Sequence, residues 1–377
     1  MAAGDGERGR DRPAREPLAI VAGPGTSVIV THLDPLTLRR EGPRRVLREF
    51  HDRYSFSPDK SAVAFGISAP PTGGGGRVGV QVVDTDDLNV SANIQTGVFG
   101  AALAWVEPRR LVALLGSSCS LNCPDPAGGR QLRAAVVDPV TSEQLALHGL
   151  PVGDARNRCG VEEARGEALL VLVGESLFVV RADQDLETVP LPPSFERCED
   201  VVAAPGGETA FAVSDRGDLV AEVGLTDSSV EVHRIRGRAS GTVKAIALDD
   251  RRLVLVRSGP NGEPRGVELL DLDRDRRQVV DPRAGNARVV GNTIITFGGE
   301  PAGSRGMGVR GYDRNGRREF GLLGGERIVT VEPFGRFAYA VNRSGFAIAD
   351  VRAGAVVHRS SARPRQSQGF ILQPGGQ

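Results

Sequence analysis

The chain has 377 residues, 40% of them hydrophobic, which is enough material for a large core. Basic and acidic residues number 47 each, and this zero net charge argues against a dedicated nucleic-acid binder, which would show a basic excess. No apolar run approaches the roughly 18 residues that a membrane-spanning helix needs, so we expect no membrane span.

The first 16 residues are polar and lack apolar periodicity, so we predict a disordered tail over 1–16 and a single domain over 17–377. The first apolar stretch, Leu18 to Ala22, is too short for the core of a signal peptide. Either the protein stays inside the cell, or a leader was removed or is not included.

Residues 54–66, YSFSPDKSAVAFG, have the pattern of a β-hairpin. Apolar residues alternate with polar or small ones on both sides of a turn at 57–60. The pattern recurs six more times, and the successive turns are 50, 56, 41, 44, 42 and 42 residues apart. A period near 40–45 residues with four short strands per repeat predicts an all-β fold, a β-propeller of four-stranded antiparallel blades.

The second half of each repeat reads as a strand, an Asp-bearing turn and another strand, as in VGVQVVDTDDLNVSANI (78–94). An Asp side chain can bond backbone amides in a turn, and the spacing of these acidic residues is not that of a calcium loop. The sequence therefore favours plain turns over calcium sites.

The two ends of the chain complement each other. Residues 370–377, FILQPGGQ, repeat only the first strand and turn of a blade, and residues 17–50 supply three further strands. We predict that they combine into one blade, which closes the ring, leaves no open sheet edge and gives a monomer. Eight blades result, or seven if the short unit around Gly291 is not a blade.

Residues 56–66, FSPDKSAVAFG, resemble the FSPDG-x-x-I/L-A-F hairpin of bacterial TolB-like and WD-repeat-like propellers. This resemblance implies a propeller scaffold and carries no catalytic residue with it. Trp105 is the only tryptophan, so the Trp-rich docking motif of quinoprotein propellers is not met. We predict no cofactor and no metal.

We label the strands of a blade A to D from the channel outward. The B–C loops and D–A connections then share one face, here called the insertion face. Extra residues in the B–C loops, at 68–77, 117–130, 258–266 and 298–308, are concentrated there. Long loops on one side of a rigid scaffold are typical of binding sites, although tolerated surface insertion is the alternative. The expected partner is a protein or a small molecule.

The four cysteines fall on the insertion face, and their even number favours two disulfides, Cys119–Cys123 and Cys159–Cys198. Free thiols and a four-cysteine zinc site are the alternatives. Disulfides would place the protein outside the cytoplasm, secreted or periplasmic.

The D–A connections also bring charged residues to the rim of the channel. The candidate binding residues among them are His51, Asp52, Arg53, Arg158, Arg197, Glu199, Arg288 and Arg327. An anion-binding ring and a solvated rim of mixed charge both fit this set.

Enzyme signatures are sparse. The chain has no G-x-S-x-G motif, and its five histidines are scattered. The leading hypothesis is therefore a non-catalytic scaffold that binds its partner through the insertion face. The alternative is a propeller enzyme of lyase or hydrolase type that uses carboxylates and His51 over the channel.

Overall fold

A computed structural model describes most of the chain between residues 18 and 372. The described ranges are 18–22, 27–34, 40–47, 50–68, 78–95, 99–107, 109–116, 132–150, 159–164, 167–182, 186–195, 198–236, 242–259, 261–299, 305–342, 345–360 and 370–372. The tail predicted over 1–16 lies outside them. These residues form eight four-stranded antiparallel sheets and two short 3-10 helices, Pro193–Phe195 and Leu272–Arg274. Within these ranges no helix is long and apolar enough to cross a membrane.

Each sheet is one blade, and in seven of the eight blades the four strands follow one another along the chain. Blade 1 begins with β1 (Leu18–Ala22), β2 (Val28–Leu33) and β3 (Arg40–Leu47). Blade 2 contains β4 (Phe50–Phe56), β5 (Ala62–Ser68), β6 (Val78–Asp84) and β7 (Val90–Gln95). Blade 3 contains β8 (Phe99–Glu107), β9 (Arg110–Gly116), β10 (Leu132–Val137) and β11 (Gln144–Leu150). Blade 4 contains β12 (Cys159–Ala164), β13 (Ala168–Val173), β14 (Ser176–Val180) and β15 (Glu187–Pro190). Blade 5 contains β16 (Cys198–Ala203), β17 (Thr209–Ser214), β18 (Leu219–Gly224) and β19 (Val230–Arg234).

The remaining blades follow the same order. Blade 6 contains β20 (Thr242–Asp249), β21 (Arg252–Ser258), β22 (Pro264–Asp271) and β23 (Arg276–Asp281). Blade 7 contains β24 (Asn286–Val290), β25 (Thr293–Phe297), β26 (Val309–Tyr312) and β27 (Arg318–Leu322). Blade 8 contains β28 (Ile328–Phe334), β29 (Phe337–Asn342), β30 (Gly345–Asp350) and β31 (Ala355–Ser360). The last strand is β32 (Phe370–Leu372).

Blade 1 is built from both ends of the chain, as predicted. Its strand order is β3-β2-β1-β32, and β32 pairs with β1 through Ala19↔Leu372 and Ile20↔Ile371. In blades 2 to 8 the first strand of each blade contacts the first strand of the next, from β4 to β28, and β28 contacts β32 of blade 1. These are the inner strands of the propeller. The unit around Gly291 is a complete four-stranded blade, so eight blades fit and the alternative of seven is wrong. The fold is an eight-bladed β-propeller.

The hairpin at residues 54–66 shows why these residues form this turn. Ser57 Oγ donates to Asp59 Oδ1 at 2.7 Å, and the backbone amide of Ala62 donates to Ser57 Oγ at 2.9 Å. Lys60 occupies the left-handed region at φ 62°. A glycine adopts that conformation without the crowding that a Cβ brings. The FSPDG hairpin has glycine at this position.

The core lies between the blades, where large apolar side chains of neighbouring sheets interleave. All six residues of β13, ALLVLV, are buried because both of its faces are covered. Polar contacts also join blades. Trp105, 2% exposed, donates its indole N–H to the carbonyl of Ser55 at 2.9 Å and thereby links β8 to β4.

The acidic residues between the third and fourth strands act as turn formers, as expected. Asp138 Oδ1 accepts the backbone amides of Val140 and Thr141 at 2.8 and 3.1 Å. These two bonds are the main reason that the pKa of Asp138 lies below its usual value. Asp350 accepts two backbone amides in the same way in blade 8.

One predicted loop is shorter than the sequence suggested. Residues 258–266 were expected to be an insertion, but Ser258 pairs with Pro264 and leaves a connection of residues 259–263. The insertions at 68–77 and 117–130 lie almost wholly outside the described residues. The fourth insertion, 298–308, is described at both ends.

Candidate functional site

The structure places the predicted rim residues unevenly. His51, Asp52 and Arg53 belong to the inner strand β4 rather than to a connection, and their side chains lie outside what the structure describes. Glu199 lies in β16 and is likewise described only through its backbone. The following two residues lie outside the described ranges: Arg158 and Arg197.

The two remaining predicted residues are described. Arg327 precedes the inner strand β28, and Arg288 lies in the inner strand β24. The guanidinium of Arg288 donates to the carbonyl of Ala287 at 3.1 Å and lies 6.0 Å from the ring centre of Phe297. Arg288 is therefore held near the channel by its own blade.

Arg288 belongs to a group of titratable side chains on four inner strands. Burial raises the pKa of Glu332 on β28, and the positive charges of Arg288 and Lys244 oppose that effect. Glu332 Oε1 also accepts the hydroxyl of Thr330 at 2.7 Å. Burial, reinforced by the negative charge of Glu332, raises the pKa of Tyr54 to about 12. We call these four residues the channel group: Tyr54 on β4, Lys244 on β20, Arg288 on β24 and Glu332 on β28.

A second feature lies on the insertion face, where blade 7 meets blade 6. A pocket of about 710 Å³ opens there. Its lining combines four arginines, four glycines, two prolines, Met307 and Leu322. The arginines, which define what we call the arginine pocket, are Arg283, Arg305, Arg310 and Arg318.

Four connected segments supply this lining. Arg283 lies in the connection from β23 to β24, and Arg305 lies in the loop between β25 and β26. Arg310 is in β26, and Arg318 begins β27. The first two segments belong to the insertion face. The described ends of the 298–308 insertion thus line the pocket.

A buried carboxylate fixes one side of the pocket. Asp281, at 0% exposure, accepts the Thr296 hydroxyl at 2.8 Å and the Tyr312 hydroxyl at 3.0 Å. It also accepts Arg310 Nη1 at 3.1 Å and the backbone amide of Arg283 at 3.1 Å. A buried carboxylate with this many donors is well compensated. Burial, reinforced by the Asp281 charge, raises the pKa of Tyr312, so Tyr312 acts as a hydrogen-bond donor.

Gly299 brings the B–C loop of blade 7 against the connection that carries Arg283. Its φ is +97°, and a Cβ there would lie 2.5 Å from the carbonyl oxygen of Arg283. Only glycine fits such a left-handed, close approach. Gly324 on the opposite connection differs, because a Cβ there would meet no atom within 4 Å and would enter open space.

The chemistry of the lining is that of an anion site. Guanidinium groups are permanently charged donors that match carboxylate and phosphate oxygens. No carboxylate, imidazole, hydroxyl or thiol lines the described part of the pocket. The lining therefore offers binding groups and no general acid–base pair.

Glu222, Glu231 and His233 form a group of possible metal ligands in blade 5. The described contacts give it another role. Arg251 Nη1 lies 2.7 Å from Glu222 Oε2, and His233 Nε2 lies 3.0 Å from the same oxygen. Since a cation from the protein already balances Glu222, we assign this group to an ion-pair network between blades 5 and 6.

The cysteines are only partly described. Cys119 and Cys123 lie outside the described residues. Cys159 and Cys198 are the first residues of the neighbouring inner strands β12 and β16, and each pairs with the last residue of the next strand. Their positions are thus equivalent, as the repeat predicted. Their side chains are not described, so both disulfides stay predictions.

Solved structures of propeller proteins resemble this chain, and one example is the dihydro-heme d1 dehydrogenase NirN in complex with DHE. Its TM-score is 0.62 at 17% identity, over 93% of this chain and 75% of that one. A putative 6-phosphogluconolactonase from Bacteroides uniformis has a TM-score of 0.50 at 13% identity, over 81% of this chain and 95% of that one. The chain is a β-propeller. At these identities the likeness extends to the fold alone.

A prolyl endopeptidase structure also matches, with a TM-score of 0.50 at 14% identity, over 91% of this chain and 48% of that one. No protein-family model matches the sequence, and a search of curated proteins finds no match. The propeller neighbours include several enzymes, so fold likeness does not decide between scaffold and enzyme.

The predicted insertion face carries this pocket, but none of the predicted site residues lines it. The insertion at 298–308 was predicted to contribute to binding, whereas none of the four pocket arginines was among the candidates. A signal was available in β26, where Arg310 and Tyr312 alternate onto the same side of a strand. Two polar side chains that share an inward-facing side require a buried partner, which is Asp281.

Proposed function

We propose that this propeller is a non-catalytic binding protein that takes a small anionic ligand into the arginine pocket. The observation that carries the proposal is the lining itself, in which four guanidinium groups share one concave site of about 710 Å³. Cavities of roughly 300–1,000 Å³ are the usual size for small-molecule sites. The pocket also lies on the face that bears the long loops.

The same lining favours binding over catalysis at this place. Proton transfer needs a group that titrates near the working pH, and arginine does not. Covalent catalysis needs a nucleophile, and the described lining provides none. The TolB-like resemblance of residues 56–66 concerns the hairpin scaffold and adds no group to the pocket.

The test is direct binding, measured by isothermal titration calorimetry with a panel of small carboxylates and phosphate esters. The decisive variant is Gly324→Leu, because its side chain would occupy open space in the pocket without crowding the backbone. Gly149→Leu is the matched control. Gly149 is an exposed strand residue of blade 3, and a Cβ added there would likewise meet no atom within 4 Å.

We expect at least one anion to bind, Gly324→Leu to abolish that binding and Gly149→Leu to leave it unchanged. A ligand saturating the site at 100 times its Kd would also stabilise the fold by about 2.7 kcal/mol, which a thermal-shift assay detects. The proposal is wrong if no anion binds, or if binding is the same in Gly324→Leu.

Catalysis over the channel is the second candidate, and the channel group favours it. A carboxyl group whose pKa is raised by burial, as that of Glu332 is, is a candidate general acid. If this candidate is correct, Glu332→Gln removes an activity that Gly324→Leu retains. An activity lost in Gly324→Leu and retained in Glu332→Gln would contradict it.

A further inference from the structure

The four guanidinium groups of the arginine pocket differ in how their charge is balanced. Arg310 is the least exposed of them, with 18% of its side chain accessible, and it forms an ion pair with the fully buried Asp281 at 3.1 Å. This pair is neutral overall. Arg310 therefore offers its remaining N–H donors to the pocket with little net charge.

The other three arginines are exposed, and no carboxylate of the described residues forms an ion pair with them. The backbone amide of Arg283 bonds to Asp281, but its guanidinium group is not used in that contact. Arg318 lies along its own strand, with Nη2 in the space that a Cβ of Gly321 would take. Glycine at 321 therefore allows the guanidinium of Arg318 to lie against the backbone of β27.

The positive charge of the pocket is thus concentrated on Arg283, Arg305 and Arg318. Three like charges at one site repel each other, and a single carboxylate would balance only one of them. A phosphate monoester carries about −1.5 to −2 charges at pH 7 and has three acceptor oxygens. Two adjacent carboxylates are an equivalent source of charge.

We infer that the ligand carries a multiply charged anionic group, phosphoryl or paired carboxylate, held by Arg283, Arg305 and Arg318, and a neutral acceptor oxygen held by Arg310. The inference rests on the proposed function of this pocket and defines its ligand class. Pro264, Pro282 and Met307 line the same space and provide apolar contact for an organic body. The ligand is therefore an organic polyanion rather than a free inorganic ion.

The test compares probes that share a phenyl ring and differ in charge. Benzyl alcohol is neutral, benzoate carries one negative charge, and phenyl phosphate carries close to two. Inorganic phosphate has the charge but lacks the phenyl ring. We expect phenyl phosphate to bind at least about tenfold more tightly than benzoate or inorganic phosphate, and benzyl alcohol to show no binding. Calorimetry at fixed ionic strength keeps screening constant across the series.

Charge-removing variants then assign the arginines. We expect Arg318→Gln and Arg305→Gln to weaken the binding of phenyl phosphate about five- to tenfold. The binding of benzoate should weaken much less, since a single negative charge needs fewer cationic partners. Arg310→Gln is expected to change the affinity for either probe less than these two variants change that for phenyl phosphate, because the Arg310–Asp281 pair is neutral overall. Arg352→Gln is the matched control, because Arg352 is an exposed residue of the turn before β31 on the opposite face. It should leave every affinity unchanged.

The outcomes separate this inference from the function on which it rests. If benzoate binds as tightly as phenyl phosphate, and Gly324→Leu blocks both, the pocket binds monoanions and the inference alone is overturned. If inorganic phosphate equals phenyl phosphate, the organic body is refuted. If none of the probes binds at concentrations up to about 10 mM, the polyanion assignment fails, and the wider panel of anions decides the proposed function.

Discussion

The ion pair between Asp281 and Arg310 gives the sharpest prediction about stability. Asp281→Leu keeps a side chain of similar size but leaves Arg310, Thr296 and Tyr312 without the acceptor that they now share. Removing one partner of a buried ion pair costs about 3–5 kcal/mol, because the remaining charge stays buried without compensation. Arg310 retains some exposure, so we expect the lower part of that range for the loss in free energy of unfolding, about 3 kcal/mol.

The assay is urea unfolding followed by two independent probes. Trp105 is the only tryptophan and is buried in blade 3, so its fluorescence reports unfolding there. Far-UV circular dichroism reports the sheets as a whole. Coincidence of the two transitions justifies a two-state free energy for a chain of this size. Asp86→Ala, at an exposed turn residue of blade 2, is the control and should behave like the original protein.

A double-mutant cycle distinguishes the ion pair from simple crowding. Asp281→Leu combined with Arg310→Leu removes both charges, and we expect it to recover about 2–3 kcal/mol relative to the sum of the single variants. If Asp281→Leu costs less than about 1 kcal/mol, or if the two substitutions are additive, the pair does not hold this part of the pocket.

Three further predictions concern the scaffold. Lys60→Gly should raise the free energy of unfolding by about 0.5–1 kcal/mol in a thermal or urea melt, because the backbone of Lys60 is left-handed. Lys60→Ala keeps a Cβ and should not raise it. A glycine variant that is less stable than the original protein would refute backbone strain at this position. Burial raises the pKa of Glu332, so the folded state holds the proton more tightly than the unfolded chain, and stability falls as the pH rises from the unfolded to the folded pKa. Glu332→Gln should therefore raise the melting temperature at pH 8 and not at pH 4. An equal effect at both pH values would contradict burial as the cause. A chain ending at residue 369 lacks β32 and exposes the edge of β1, so gel filtration should show concentration-dependent association; a monomer as stable as the full chain would show that β32 is dispensable.

The repeat could be predicted from the sequence because each hairpin is specified locally. Alternating apolar residues set the two faces of a strand, and Ser57 and Asp59 supply the turn bonds within five residues of each other. Closure was also predictable, since the strand missing at one end of the chain is present at the other. These features depend on sequence neighbours or on a simple count.

The pocket could not be assembled in the same way. Its residues run from Pro264 to Gly324, and they meet only because two blades pack in one register. The sequence around Asp281, followed by Pro282, has the composition of an ordinary exposed turn, yet Asp281 is fully buried. Arginine is abundant in this sequence, so the four arginines that line the pocket do not stand out from the others. Which of them converge depends on packing between sheets, which local patterns do not encode.

The pairing of β32 with β1 also has a consequence in time. During synthesis β32 leaves the ribosome about 350 residues after β1, a delay of roughly 20–70 seconds at ordinary elongation rates. Throughout that interval the nascent ring is open, and the backbone edge of β1 has no partner from its own chain. Seven blades can form in order, but the circle itself is completed only after Leu372 emerges. Pairing of β32 with β1 is therefore the last step of ring closure, and until it occurs the open edge of β1 can pair with a strand of a neighbouring chain.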